Sequence, residues 1–457
     1  MPRTTALALL LAASSAAAQP GPAASAAAAA GSSAAVPLTP PWQEWPHGRP
    51  FGGGVDRPAD GARRLCSFEA PVCVHASIAD EKNALATLQE AERAHQFLRL
   101  QARLPRPVAD LGAGGSDAFD IYLSTLSGND GPLRLGFGLP TRMPVDQAPV
   151  HAVIDRRLAG CERAVAVHEA MAAAQLAAVD GAEAGASFAS SMSYLAMLGS
   201  GCRADALARM DEAQAHPERP LLDPGDADTS RASPLVPWWL DEWLGSDAPG
   251  ALVTGLWYGA QQSTPAADAR FHNKPDLMTV VRRLARAREV PFDQMLLDLA
   301  VTRAFLGDRD DGAHLAESAW LEEAGRVRFD ASWKLRELPR RLAFRPLEPT
   351  GMVYTWVDLR GAEKVPGSIG LHFTWEYPVT VRWAVVRVDA DGREMSRLSV
   401  AHSRGDTKAD AIVEQLDGVA GLLIVGSNTG EVDLEKPFFV DETPYESHGG
   451  TIHVYVP

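Results

Sequence analysis

Residues 81–104 (EKNALATLQEAERAHQFLRLQARL) space their apolar side chains three and four apart and stop before Pro105. That period predicts a helix over 81–104. Residues 117–126 (DAFDIYLSTL) then alternate around Ile121, Tyr122 and Leu123 and read as a strand. LRLGFGL and PVHAVIDRR are two further strand candidates. Helical spacing returns over 161–202 in two alanine-rich runs, CERAVAVHEAMAAAQLAAVD and GAEAGASFASSMSYLAMLGSGC, joined through glycine. Residues 216–237 form a polar, proline-rich loop. The stretch WWLDEWLGSDAPGALVTGLWYGA places Trp238, Trp239, Trp243, Leu244, Leu252, Leu256 and Trp257 at helical intervals on both sides of a Gly-Ser break, the pattern of aromatic packing between two helices. DLMTVVRRLARARE, from Asp276, and PFDQMLLDLAVTRAFLG, from Pro291, predict two more helices, the second with proline in its permitted first turn and Gly307 past its end.

Beyond residue 345 the period becomes two. GMVYTWVDL, SIGLHFTW, VTVRWAVVRVD, GLLIVGSN, PFFVD and TIHVYV are short alternating runs separated by turn residues. Ile369, Leu371, Phe373 and Trp375 share one face of a strand, as do Ile452, Val454 and Val456 of another. Short strands at this spacing predict a β-sandwich. DADGRE at Asp389 has the start of a calcium loop, but the twelfth position is Val400 where glutamate belongs, so it reads as a hairpin turn.

At 457 residues and 46% hydrophobic composition the chain can build two or three cores. The expected division is a signal peptide at 1–18, a linker at 19–41, a mixed α+β region at 42–215, a mainly helical region at 216–345 and the β-sandwich at 346–457. MPRTTALALLLAASSAAAQP has the charged start, apolar run and small residues of a secretory leader cleaved before Gln19, with no cysteine for lipid attachment. Residues 19–41 hold mostly Ala, Ser, Gly and Pro and read as a flexible tether. No later run reaches the roughly 18 apolar residues of a membrane span. The expected location is therefore periplasmic or extracellular. A formal net charge of -15 repels nucleic acid and anionic lipid.

Four cysteines in an exported chain predict two disulfides, with three pairings open. Cys66 and Cys73 suit a short closed loop, and Cys161 with Cys202 would then clip the two alanine-rich helices together. A zinc site of these cysteines is the rival, disfavoured because no CxxC occurs.

His168-Glu169 stands where a zinc peptidase carries HExxH, but the second histidine position is Ala172. A His-Glu pair on an alanine-rich helix also arises by chance; here the preceding strands and the following helix add context. On those residues the region from about Asp117 to Leu306 resembles the gluzincin metallopeptidases, in which a strand before the first metal helix offers its edge to substrate. The resemblance implies a zincin-like mixed sheet with a helical bundle, residues 149–157 as the edge strand, His168 as the first zinc histidine and Glu169 as the general base. It places the lost ligands at Ala172 and at Ser190 or Ser191, where a glutamate belongs. One imidazole does not hold a catalytic zinc, which requires three protein ligands and an open position.

The expected function is thus an exported, non-catalytic peptidase-like protein that binds a peptide or protein in a former active-site cleft, with no cofactor. The alternatives are an active secreted hydrolase whose zinc ligands are displaced, with His151 and His272 as solitary recruits, and cell-surface or carbohydrate binding through Trp356, Trp375 and Trp383. GxSxG, GxxxxGK[ST] and GxGxxG are absent, so hydrolase-elbow, P-loop and dinucleotide readings have no foothold. No nucleic-acid partner and no membrane span are expected, and oligomeric state is left open.

Overall fold

The computed structural model describes residues 57–58, 63–127, 131–138, 145–183, 185–221, 233–245, 248–263, 273–362, 364–403, 405–430 and 446–457. The leader, the tether, His272 and the strand candidate PFFVD lie outside them. The described chain is of α+β type, with three sheets.

The first sheet contains β1 (Arg63–Cys66), β2 (Val72–Ala76), β3 (Phe119–Ser124), β4 (Leu133–Phe137) and β5 (Val150–Asp155) in the order β1-β2-β3-β5-β4. β2, β3 and β5 run parallel, while β1 and β4 are antiparallel to their neighbours. Parallel neighbours need crossovers, and α1 (Glu81–Leu100) supplies the one between β2 and β3. The helix stops four residues short of the predicted end because the chain turns left-handed at Arg103, where φ is 64°. Leu104 N–H donates back to the Leu98 carbonyl, and the Leu104 side chain returns to the core.

α2 (Gly160–Ala177) follows β5, and α3 (Gly185–Ser200) follows α2. From Ala164 to Ala177 every residue of α2 is buried, so its alanines are what lets α1, α3 and β5 approach it on all sides. Val74, Ile121, Ala152 and Ile154 project from the sheet into the same core. Disulfides join Cys66 to Cys73, across paired β1 and β2, and Cys161 to Cys202, tying the start of α2 to the end of α3. The latter spans 41 residues and contributes about 3 to 4 kcal/mol by the chain-entropy estimate. α4 (Ala204–Ala215), a helix that the sequence reading passes over, comes next.

α5 (Leu235–Leu244), α6 (Ala251–Ala260), α7 (Leu277–Ala287) and α8 (Phe292–Ala304) complete the helical part. Trp239 stacks on Trp243 at 5.1 Å and Phe188 meets Trp257 edge-on at 4.6 Å, so these aromatics pack between helices as expected. Asp276 caps α7 by accepting from Thr279 N–H.

Strand structure resumes before residue 346, with β6 (Ala331–Lys334) and β7 (Arg340–Leu347). β8 (Met352–Asp358), β9 (Ser368–Trp375), β10 (Val381–Val388), β11 (Glu394–Ser399), β12 (Lys408–Glu414), β13 (Gly421–Asn428) and β14 (His448–Tyr455) follow. They form a five-stranded sheet, β11-β10-β13-β8-β6, and a four-stranded sheet, β12-β9-β14-β7. DADGRE is the turn between β10 and β11. Val353, Trp383, Val385, Leu422 and Ile424 of the first sheet share a buried cluster with Ile369, Leu371, Phe373, Ile452 and Val454 of the second. Val456 lies past β14 and is exposed, against the expected face. The opposite face of β8, β10 and β13, with Tyr354, Ala384, Val386, Leu423 and Val425, joins the core of the helices. Burial on both faces is why β10 and β13 read as nearly unbroken apolar runs.

Candidate functional site

Consecutive residues on a helix point about 100° apart, and α2 uses that angle to separate the two residues of its motif. His168, 2% exposed, points between α1 and α3: Nε2 lies 4.0 Å from Glu90 Oε2, and the ring packs against Phe97 and Gly199. A β-carbon at Gly199 would fall 2.7 Å from His168 Nδ1, so only glycine admits this contact. Burial, assisted by the Arg93 charge, pulls the imidazole down to about 4, which leaves it neutral at pH 7. Ala172 follows one turn on and is sealed in the same core.

Glu169 points the other way, toward α4. Arg209 Nη2 lies 2.7 Å from its Oε1, and Arg209 Nε donates to Asp205 Oδ2 at 2.7 Å. Burial pushes the Glu169 carboxyl up to about 7 against the pull of Arg209. Glu169 lines a cavity of about 350 Å³ together with Glu162, Asp205, Pro132, Leu158, Val165 and the Cys161–Cys202 disulfide. The described residues of its wall include three carboxylates, two of them held by Arg209, and no basic side chain, set among apolar carbons.

The serines at the expected ligand positions are both engaged. Ser190 Oγ donates to the Ser233 carbonyl at 2.7 Å, and Ser191 Oγ accepts from Trp257 Nε1 at 3.2 Å. The residues present therefore do not fit a zinc of the resembled type: His168 faces the interior, Ala172 has no donor, and Ser190 and Ser191 hold the helix packing. Among the described residues no group of three or more His, Cys, Asp or Glu is placed to hold a metal. His151 sits on β5, half-buried, edge-on to Tyr122 at 6.0 Å.

The expectation that residues 149–157 offer a substrate edge is corrected. β5 lies between β3 and β4 with both edges paired, and β4 is the terminal strand. β4 is itself covered over Leu135 to Phe137 and half-exposed only at Leu133 and Arg134, next to Pro132 at the cavity.

The sheet face away from the helices carries a second polar constellation that sequence spacing does not disclose. His75 Nε2 lies 2.8 Å from Asp120 Oδ1, its ring stacks on Tyr122 at 4.4 Å, and Arg57 donates to Asp120 and, at 3.0 Å, to the Tyr122 hydroxyl. Arg57 also pairs with Asp110. The members come from four separate segments, and Asp120 is saturated by its two partners, which marks the group as a strut between sheet and covering chain. Arg209 is the other residue that sequence reading misses. The Asp205–Arg209 spacing of four, on one helix face with Ala206 and Met210, was its available signal.

Trp375 and Trp383 are interior, Trp383 stacking on Phe373 at 4.3 Å, and Trp356 is half-buried, stacked on Phe329 at 6.3 Å. None of the three is presented as a flat platform for a sugar. Among the described residues no helix is long and apolar enough to cross a membrane.

No family model matches the chain, and no curated protein matches it. Among solved structures it is similar to the pre-peptidase C-terminal domain of a collagenase from Bacillus anthracis, at 9% identity and a TM-score of 0.18, over 29% of this chain and 99% of that one. It is also similar to the enzymatically active domain of tailspike protein 4 of bacteriophage CBA120, at 8% identity and a TM-score of 0.18, over 24% of this chain and 15% of the tailspike. Similarity at that level assigns neither fold nor function here.

Proposed function

We propose that this chain is an exported, non-catalytic protein with a zincin-like upper region and a C-terminal β-sandwich, and that it binds a peptide or protein through the Glu169 cavity. One observation carries the reading. The glutamate at the general-base position of α2 faces a cavity of about 350 Å³ while its histidine neighbour is turned into the core. A base without a metal has no activated water to deprotonate, whereas a buried carboxylate beside an open cavity binds. Supporting the zincin-like reading are the strand order with β4 antiparallel at the end, the crossover α1, and the placement of α2 directly after β5. The two sheets that share one buried cluster support the sandwich. Disulfides in place support export.

The lining selects the ligand. Leu158, Val165, Ala166 and the disulfide suit an aliphatic stem, and Glu162, the lining carboxylate that Arg209 does not hold, suits a cationic head, so the entering group is a lysine or arginine side chain of the partner. The test is fluorescence anisotropy with extended peptides that differ only at one Lys, Arg, norleucine or Glu position. Binding that requires the basic residue and weakens about tenfold in Glu162→Gln is expected. Equal binding of all four peptides, or peptide cleavage abolished by Glu169→Gln, would overturn the reading.

A further inference from the structure

The outer surface of the four-stranded sheet concentrates positive and titratable groups in a chain whose net charge is -15. Arg341, His453, His372 and Asp410 occupy one row across β7, β14, β9 and β12, each directly opposite the next. Side chains directly opposite on one sheet face have β-carbons about 5 Å apart, so the two imidazoles are immediate neighbours with a guanidinium at one flank. A cavity of about 400 Å³ opens beside them, lined by Arg340, Arg341, His372, His453 and Pro339, with no carboxylate among the described lining residues. Neither the Arg340 nor the Arg341 side chain has an ion-pair or hydrogen-bond partner among the described residues, although the surface arginines Arg360 and Arg393 both pair with nearby carboxylates.

The rings are held in place. His372 Nδ1 lies 2.7 Å from Asp410 Oδ1, which leaves Nε2 of that ring for a ligand. His453 stacks on Tyr455 at 5.3 Å, and Tyr455 in turn lies flat over Gly370, where a β-carbon would come 2.3 Å from the phenol ring. Fixed imidazoles flanked on the β7 side by arginines whose side chains have no partner among the described residues, all carried on strands, make a preorganised receptor for a planar or tetrahedral oxyanion.

We infer that this cavity binds an oxyanion group, a phosphate, sulfate or carboxylate, carried on a ligand of up to about monosaccharide size. The anion accepts from the Arg341 fork and from a ring N–H of His453, with Arg340 adding positive charge at the cavity wall, so the ligand is recognised by charge and geometry and no bond is made or broken. A divalent metal on the histidine pair is the competing occupant. The two adjacent guanidinium charges oppose it.

The experiment is an NMR titration of the His372 and His453 ring resonances in the full chain, assigned by His372→Gln and His453→Gln. Inorganic phosphate, sulfate, glucuronate and chloride are added at constant ionic strength, and zinc is added separately. Saturable 1:1 shifts of both rings with at least one oxyanion, absent with chloride, are expected; the tightest of the three identifies the source of the group. Arg340→Gln and Arg341→Gln should each weaken binding about tenfold. Arg341→Lys should recover part of that loss, since lysine keeps the charge without the fork. Thermal melts of the arginine variants should match the parent because both arginines are exposed. Unsaturable shifts equal to those of chloride, affinity unchanged in both arginine variants, or saturation by zinc with no oxyanion binding would each overturn the inference.

Discussion

Arg209 on α4 meets Glu169 on α2 at 2.7 Å, on the helix face about 100° round from the one that turns His168 into the core. A pair buried this deeply is costly to break because removing one partner strands the other. Arg209→Met is therefore expected to destabilise the protein by about 3 to 5 kcal/mol above pH 7. Arg209→Met with Glu169→Gln should recover most of that loss, since no buried charge remains. Chemical denaturation of the four members of the cycle measures it; additive single effects would refute the pairing. The parent has its own pH signature. Glu169 is raised from 4.5 to about 7 on folding, so its contribution is complete below about pH 4.5 and is lost as pH rises through 7. Glu169→Gln removes that slope.

Ala172→His with Ser191→Glu would rebuild the zinc motif on paper. The structure expects failure. Position 172 is fully enclosed by the core, and a glutamate at 191 removes the acceptor of Trp257 Nε1. The double variant should bind no stoichiometric zinc by elemental analysis and should melt well below the parent. One equivalent of zinc with an unchanged melt would show that α2 can rotate its motif into register.

Asp146 and Asp180 lie together in the interior. Burial raises Asp146 to about 7, with Glu183 adding to the rise and hydrogen bonds from Gln262 N–H and Asp180 offsetting part of it; burial also holds Asp180 well above the ordinary carboxylate range, and the neighbouring Asp146 opposes its ionisation further. The pair holds a proton in the folded state up to about neutral pH, so stability falls as pH rises through 7. Asp146→Asn keeps an acceptor for Gln262 N–H, which now lies 2.8 Å from Asp146 Oδ2, and removes the charge. It should raise the melting temperature by a few degrees at pH 8 and change little at pH 5. A drop at both pH values would mean that the carboxylate is required ionised.

His314 clamps the chain after α8 to β11: Nδ1 lies 2.8 Å from Asp311 Oδ1, Nε2 lies 2.8 Å from Glu394 Oε2, and the ring stacks on Phe305 at 4.2 Å. Burial alone would lower its affinity for a proton, but the two carboxylates raise it above the ordinary 6.5. The stabilisation is thus complete below pH 6.5 and disappears as pH climbs through the raised value. The stability gap between the parent and His314→Gln should shrink between pH 5.5 and pH 9 in urea titrations. A constant gap would show that the clamp acts through packing with Phe305 alone.

Sequence by itself determined the elements whose side chains repeat against one partner surface. The period of three and four gave α1, α2, α3, α7 and α8, and alternation gave β3, β9 and β14, because each buries one face or is buried all round. The disulfide pairs were favoured among three possible pairings because Cys66 and Cys73 lie close enough in sequence to close a short loop, which leaves Cys161 and Cys202 for each other. What only the tertiary structure decided depends on which surface a residue meets. β6 and β7 are short or largely exposed and carry little pattern, so the strands begin earlier than the change of period suggests. β5 and β4 exchange the expected interior and edge places because strand order is not written in strand sequence. His168 and Glu169 are adjacent letters, and no periodicity tells which of two neighbouring helix faces will look into a cavity. That was settled by Arg209, forty residues on, and by Gly199, whose missing side chain makes room for the histidine ring in the core.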